Sequence, residues 1–200
     1  MDFGTVLRIV GILLVATICG GIIFNATTIG MPKVFDERLR GLTESGMGLG
    51  LLVALVYCIG ALAQVVVGPL IDKVDLRRLL IPIAAAQAPL LWLVGSSQGW
   101  MMLGVAILLM LAVFGQIPLN DAIVGRYTAD EYRSRVFAIR YVVTLGVASF
   151  AVPLIAYLHR TTGGFEQVFR VLAVFALFTL IASCFFPSRA ALQAQHAQAH

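Results

Sequence analysis

Charge divides this chain before any other property does. Long runs without Asp, Glu, Lys or Arg extend over residues 9–32, 45–71, 79–120, 141–159 and 171–188, with the charged residues gathered in the short stretches between them. A helix needs about 20 apolar residues to cross a hydrocarbon core ~30 Å thick, so four of these runs each predict one crossing. The fifth, from Leu79 to Asn120, holds 42 residues and is too long for one. It carries its own break at GSSQGW, Gly95 to Trp100, where turn-forming residues meet a tryptophan of the kind that sits at a membrane interface. The pattern predicts six transmembrane helices over roughly 7–29, 47–71, 79–96, 100–119, 137–158 and 167–187, followed by a polar tail over 189–200. The fold class expected is all-α integral membrane.

Composition agrees, with 60% hydrophobic and 12% charged residues in a chain of 200. The first apolar run exceeds the 7–15 residues of a signal-peptide core and precedes no soluble domain, so it reads as a retained helix. Cys19, Cys58 and Cys184 each fall inside a predicted span, where small buried thiols are expected rather than a disulfide framework. With the N-terminus inside, the inner connections carry Arg8, Lys73, Arg77, Arg78, Arg126, Arg133, Arg135, Arg140 and Arg189. The outer ones carry Lys33, Arg38, Arg40, Arg160 and Arg170. This excess predicts that both termini are cytoplasmic. It also makes the net charge of +4 a consequence of topology, with no nucleic-acid partner implied.

One stretch holds more charge than topology requires. VVVGPLIDKVDLRRLL, residues 65–80, packs Asp72, Lys73, Asp75, Arg77 and Arg78 between helices 2 and 3. Basic residues there anchor the loop to anionic headgroups, but carboxylates contribute little to orientation and point to specific pairing. The run Gly68-Pro69-Leu70-Ile71-Asp72-Lys73-Val74-Asp75-Leu76-Arg77-Arg78 resembles the signature loop of the major facilitator superfamily, G-x-L-[small]-D-[RK]-x-G-[RK]-[RK]. Gly68, Leu70, Asp72, Lys73 and Arg77 agree, whereas Asp75 stands at the second glycine and Leu76 replaces a base. IIFNATTIGMPKVFDERL is similar to the seventh helix of bacterial facilitators and its exit, and GQIPLNDAIVGRYTADEYRSRVFAIRYVV resembles their link between the tenth and eleventh helices. Met101 to Asn120 lacks the arginine expected within the fourth helix of a first half. The resemblance covers nearly the whole chain and is to the C-terminal six-helix half.

That resemblance implies transport of a small-molecule substrate by alternating access as a permease half in the bacterial inner membrane. It also implies a second six-helix half as partner, on another chain or as a homodimer. It gives Gly68, Asp72, Lys73, Arg77 and Arg78 the role of a cytoplasmic gate loop, and Asp72 is expected to pair with Arg133, Arg135 or Arg140 at the inner end of helix 5 or with the positive end of a helix in a partner half. Thr128 and Glu131 form a capping-box pattern that starts helix 5 near Ala129. Helices 1, 2, 4 and 5 are expected to face the central cavity. Polar groups at membrane depth are costly and tend to face a cavity or a partner, which makes Asn25, Thr27, Thr28, Tyr57, Gln64, Gln116, Asn120 and Thr144 the cavity candidates. A Thr bonding its own helix or a Gln joining two helices explains each of them equally well.

No charged residue lies near the middle of any span. A proton-coupled carboxylate therefore belongs elsewhere, or the substrate is uncharged or amphipathic, which favours efflux of drugs or metabolites. Neither a nucleotide-binding loop nor a nucleophile triad nor a metal cluster stands out, so no cofactor is expected and no enzymatic activity. The competing class is a six-helix assembly or sensor subunit without transport, or an inactive truncated transporter.

Overall fold

A computed structural model describes residues 3–39, 41, 45–128 and 130–185. Six helices account for nearly all of them: α1 (Phe3–Arg38), α2 (Gly46–Lys73), α3 (Leu76–Ser96), α4 (Gly99–Tyr127), α5 (Asp130–Thr162) and α6 (Phe165–Cys184), with no strand among the described residues. All six are long and apolar enough to span a bilayer. The tail over 189–200 lies outside the described residues.

Three helices overrun their predicted ends, because polar side chains that leave the bilayer still find partners along the helix. Helix α1 continues through Pro32 to Arg38, where Lys33 lies 3.4 Å from Asp36 and 3.8 Å from Glu37. Helix α4 continues beyond Leu119 to Tyr127, and its last turns hold Asp121 and Arg126, both ion-paired to neighbouring helices. Thr128 ends α4 as its C-cap, so α5 starts at Asp130 and the capping-box pattern crosses residue 129, outside the described residues. The break expected over Gly95 to Trp100 is present between α3 and α4, and a second glycine turn joins α5 to α6. Gly99 (φ +58°) and Gly163 (φ +76°) both occupy the left-handed region that side chains avoid.

Packing follows a two-fold pattern. α1 lies against α5 and α6, α4 lies against α2 and α3, and α3 lies against α6. Exchanging α1 with α4, α2 with α5 and α3 with α6 maps these contacts onto themselves, and helices three apart in the chain run antiparallel. This is the arrangement of two inverted three-helix repeats. Two glycines allow the closest approaches. A Cβ on Gly60 of α2 would stand 3.0 Å from Met110 Cβ and 3.3 Å from the Met110 carbonyl of α4; one on Gly95 of α3 would stand 3.1 Å from Phe169 Cβ of α6. Small residues at such crossings are how membrane helices reach van der Waals contact, since burial from lipid gives little driving force. Gly46 and Gly50, by contrast, have open space at their Cβ positions.

The helix ends are closed by side chains from other parts of the bundle. Asp75 is the N-cap of α3 and accepts from Arg77 N at 3.3 Å, which gives a physical role to the residue that stands where the family has glycine. Asp75→Ala should therefore cost ~1 kcal/mol, and Asp75→Asn much less, read as detergent melting temperature. Arg38 Nη1 donates to the carbonyls of Val94 (2.8 Å) and Gly95 (2.7 Å) at the end of α3. Arg77 Nη2 donates to the Cys184 carbonyl at the end of α6 (3.0 Å). Each places a cation where unpaired carbonyls and the helix dipole favour one.

The cysteines differ from expectation. Cys19 is buried, but Cys58 and Cys184 are exposed on the outside of α2 and at the end of α6, since both fall on helix faces that no other helix of this chain covers.

Candidate functional site

Two polar clusters form between helices, one within the set expected to face the cavity and one that draws in α3. The first joins α1 to α2. Asn25 Nδ2 donates to Gly21 O at 2.9 Å, and Thr28 Oγ1 donates to Phe24 O at 2.6 Å, so both side chains bond their own helix. Thr27 and Thr144 do the same, with Ile23 O and Arg140 O. Tyr57 reaches across from α2 and donates to the Thr28 carbonyl at 2.5 Å. Its ring stacks on Phe114 of α4 (centroids 6.3 Å), which in turn meets Phe24 of α1 at 5.6 Å. Asn25, Thr28 and Tyr57 are thus brought together around an aromatic floor. Gln64 lies two turns away on α2 and is half-buried.

The second cluster joins α4 to α3. Gln116 is 4% exposed and turns inward, where its Oε1 accepts from Gln87 Nε2 at 2.5 Å. Gln87 is only 1% exposed and also approaches the Ala112 carbonyl at 3.4 Å. Asn120 stands one turn beyond Gln116. Together with Gly20, Ile23 and Phe24 of α1 they line a cavity of about 30 Å³. Gln87 escaped the sequence reading because α3 was expected to face outward. Its signal was present, as the one amide in the middle of the span AAAQAPLL.

The expected gate loop has a different partner from those anticipated. Asp72 Oδ1 lies 2.9 Å from Arg126 Nη2 on α4, not beside Arg133, Arg135 or Arg140. The reason is packing: α2 runs along α4, so its end meets the end of α4, whereas α5 packs on α1 and α6. Arg140 instead pairs with Asp121, and Arg135 lies over the Tyr132 ring at 5.9 Å. Arg133 lies on the exposed first turns of α5. Asp72 is 81% exposed, so the pair contributes only ~0–1 kcal/mol. Gly68 sits in the penultimate turn of α2 with open space beside it, while Lys73 and Arg78 are exposed.

At the opposite end of the bundle, His159 Nε2 of α5 meets Glu37 Oε1 of α1 at 3.1 Å. Beside them Ile29, Lys33, Val152, Ile155 and Arg160 border an open depression of about 310 Å³.

The outer surface is uneven. In their most apolar stretches, 56% of α4 is buried but only 6% of α5. Ile139, Val142, Leu145, Phe150 and Val152 of α5 are all exposed. A searched set of curated proteins contains no match to this chain. A sequence profile of the Major Facilitator Superfamily, a family of transporters, matches residues 13–199, which is nearly the whole chain. With six membrane-length helices in two inverted repeats, the chain is a multi-pass integral membrane protein and belongs to the Major Facilitator Superfamily.

Proposed function

We propose that this chain is the C-terminal type of facilitator half and transports an uncharged or amphipathic small solute by rocking against a second six-helix half, either a partner chain or a second copy. The observation that carries this reading is the bare α5. A helix with 6% of its apolar stretch buried has a face free to meet another protein, and it lies beside the two helices, α1 and α4, that present the polar clusters. Asn25, Thr28 and Tyr57 are the side chains offered to substrate on one side, Gln116 and Asn120 on the other, with Gln64 further along α2. Among the described residues, no charged side chain lines the notch beside Gln116 and Asn120, which supports a neutral or amphipathic solute. The positive-inside bias supports cytoplasmic termini and a cytoplasmic Asp72 loop, and the resemblance to bacterial facilitators supports a bacterial inner membrane.

The test is assembly. In detergent, size-exclusion with multi-angle scattering should give twice the chain mass, or a complex with a second half when the two are co-expressed. A strict monomer in both settings rules the reading out. The loop adds a second expectation. Asp72, paired with Arg126 and open to water here, would be covered by the opposite half in one state of the cycle and uncovered in the other. Asp72→Asn should slow the initial transport rate about two- to fivefold, the most that an ion pair worth ~1 kcal/mol can shift, at unchanged membrane content. An unchanged rate removes the gate role.

A further inference from the structure

The cavity between α1 and α4 contains three polar atoms with no partner: Gln87 Oε1, Gln116 Nε2 and Asn120 Oδ1. Each is buried below the reach of bulk water, and an unpaired amide group in an apolar setting is costly. The bonds around them fix the orientation of the two glutamine amides. The Ala112 carbonyl can only accept, so the Gln87 amide presents its Nε2 to it and to Gln116 Oε1. That leaves Gln87 Oε1 as a free acceptor and turns Gln116 Nε2 outward as a free donor.

We propose that this notch binds one neutral, hydroxyl-sized group, which accepts from Gln116 Nε2 and donates to Gln87 Oε1 or Asn120 Oδ1. A water molecule satisfies both acceptors at once; the hydroxyl of a solute satisfies one. The alternatives fail on charge. Two carbonyl oxygens repel an anion, and the Gln116 N–H repels a cation. Size excludes larger groups, since about 30 Å³ holds one water or one hydroxyl and no more. The room exists because position 20 is glycine. A Cβ there would stand 3.6 Å from Gln116 Nε2, in ordinary contact, so a serine hydroxyl on it extends into the space the bound group takes. Occupancy by water does not depend on the transport reading. Occupancy by a solute hydroxyl rests on it, and the two are separated by experiment.

Two measurements test the site. Gly20→Ser supplies a covalent hydroxyl and Gly20→Ala adds the same Cβ without one. The serine variant should melt about 2–4 °C above the alanine variant, the shift that one net hydrogen bond brings in a chain of this size. The difference should vanish in a Gln87→Leu/Gln116→Leu background, which separates filling of the notch from back-bonding of serine to its own helix. An alanine variant as stable as the serine one, or a difference that survives in the double-leucine background, overturns the proposal. High-resolution structures of the purified protein without added solute and with glycerol identify the source. Density bonded to the three atoms in solute-free protein assigns a resident water, and density only with glycerol assigns a solute hydroxyl. A notch empty in both overturns the proposal, whatever the outcome of the assembly test.

Discussion

Gly60→Leu is expected to abolish recovery of folded protein from the membrane. The α2–α4 crossing has no space at this position: even the first carbon of a side chain would come within 3.0 Å of Met110 Cβ and 3.3 Å of the Met110 backbone oxygen. Backbone cannot turn aside as a flexible side chain can, so the helices must separate. Overpacking of this kind costs ~1–3 kcal/mol for a small excess and more where several atoms are added, and here the separation also loses the close contact on which lipid-embedded helices depend. Gly60→Ala should fall in the lower part of that range. Gly104→Leu is the control, because Gly104 is exposed on α4 with nothing within 4 Å of its Cβ position. Monodisperse yield and melting temperature in detergent check all three. Equal losses for Gly60→Leu and Gly104→Leu would show that helix propensity and not the crossing is responsible.

Leu145→Arg should prevent assembly with a second half while leaving the six-helix unit intact. Leu145 is 69% exposed near the middle of α5, so within this chain the arginine meets no steric obstacle. An arginine at the centre of a span costs about 2.5–3.5 kcal/mol on insertion scales. If the face is covered by protein, the charge becomes buried without a partner and the loss falls on association. The same substitution at Leu177 of α6, 47% exposed, tests a face that is expected to meet lipid. Scattering mass and crosslinking yield are the readouts. Assembly retained by Leu145→Arg and lost by Leu177→Arg would move the docking face from α5 to α6.

The spans are legible in the sequence because the bilayer imposes one strong rule, a charge-free stretch of sufficient length, and residues 45–71 or 171–188 obey it without ambiguity. Ends are less legible, since helix continuation beyond the bilayer is decided by pairs such as Lys33 with Asp36 or Asp72 with Arg126, which depend on spacing in three dimensions. The Asp72 partner was missed for this reason: all of the arginines near α5 have the right charge, and only the course of α2 along α4 selects Arg126. The polar candidates separate along the same line. Thr28 and Tyr57 were each identifiable as polar candidates on helices 1 and 2, but the bond between them runs through a backbone carbonyl, which every residue possesses and no sequence reveals. Gln116 was identifiable as an uncommon residue at depth. That it faces Gln87 depends on which side of α3 is turned inward, which the lone amide of AAAQAPLL signals but the expected outward position of α3 masks.

The capping arginines have a mechanical consequence. Helices α1 and α3 barely meet along their length, yet Arg38 fastens the end of one to the end of the other, and at the far end Arg77 fastens the start of α3 to the close of α6. The part-buried Arg38 bonds are the stronger and the exposed Arg77 bond is weakened by water, and the two sit at opposite rims of the bundle, where leverage against bending is greatest. If the half rocks as proposed, torque has to pass from one membrane surface to the other without internal shear. On that proposal the clamps at both rims would hold α1, α3 and α6 together as a spar, and the compliance would fall to α2 and α5, the two least buried of the described helices.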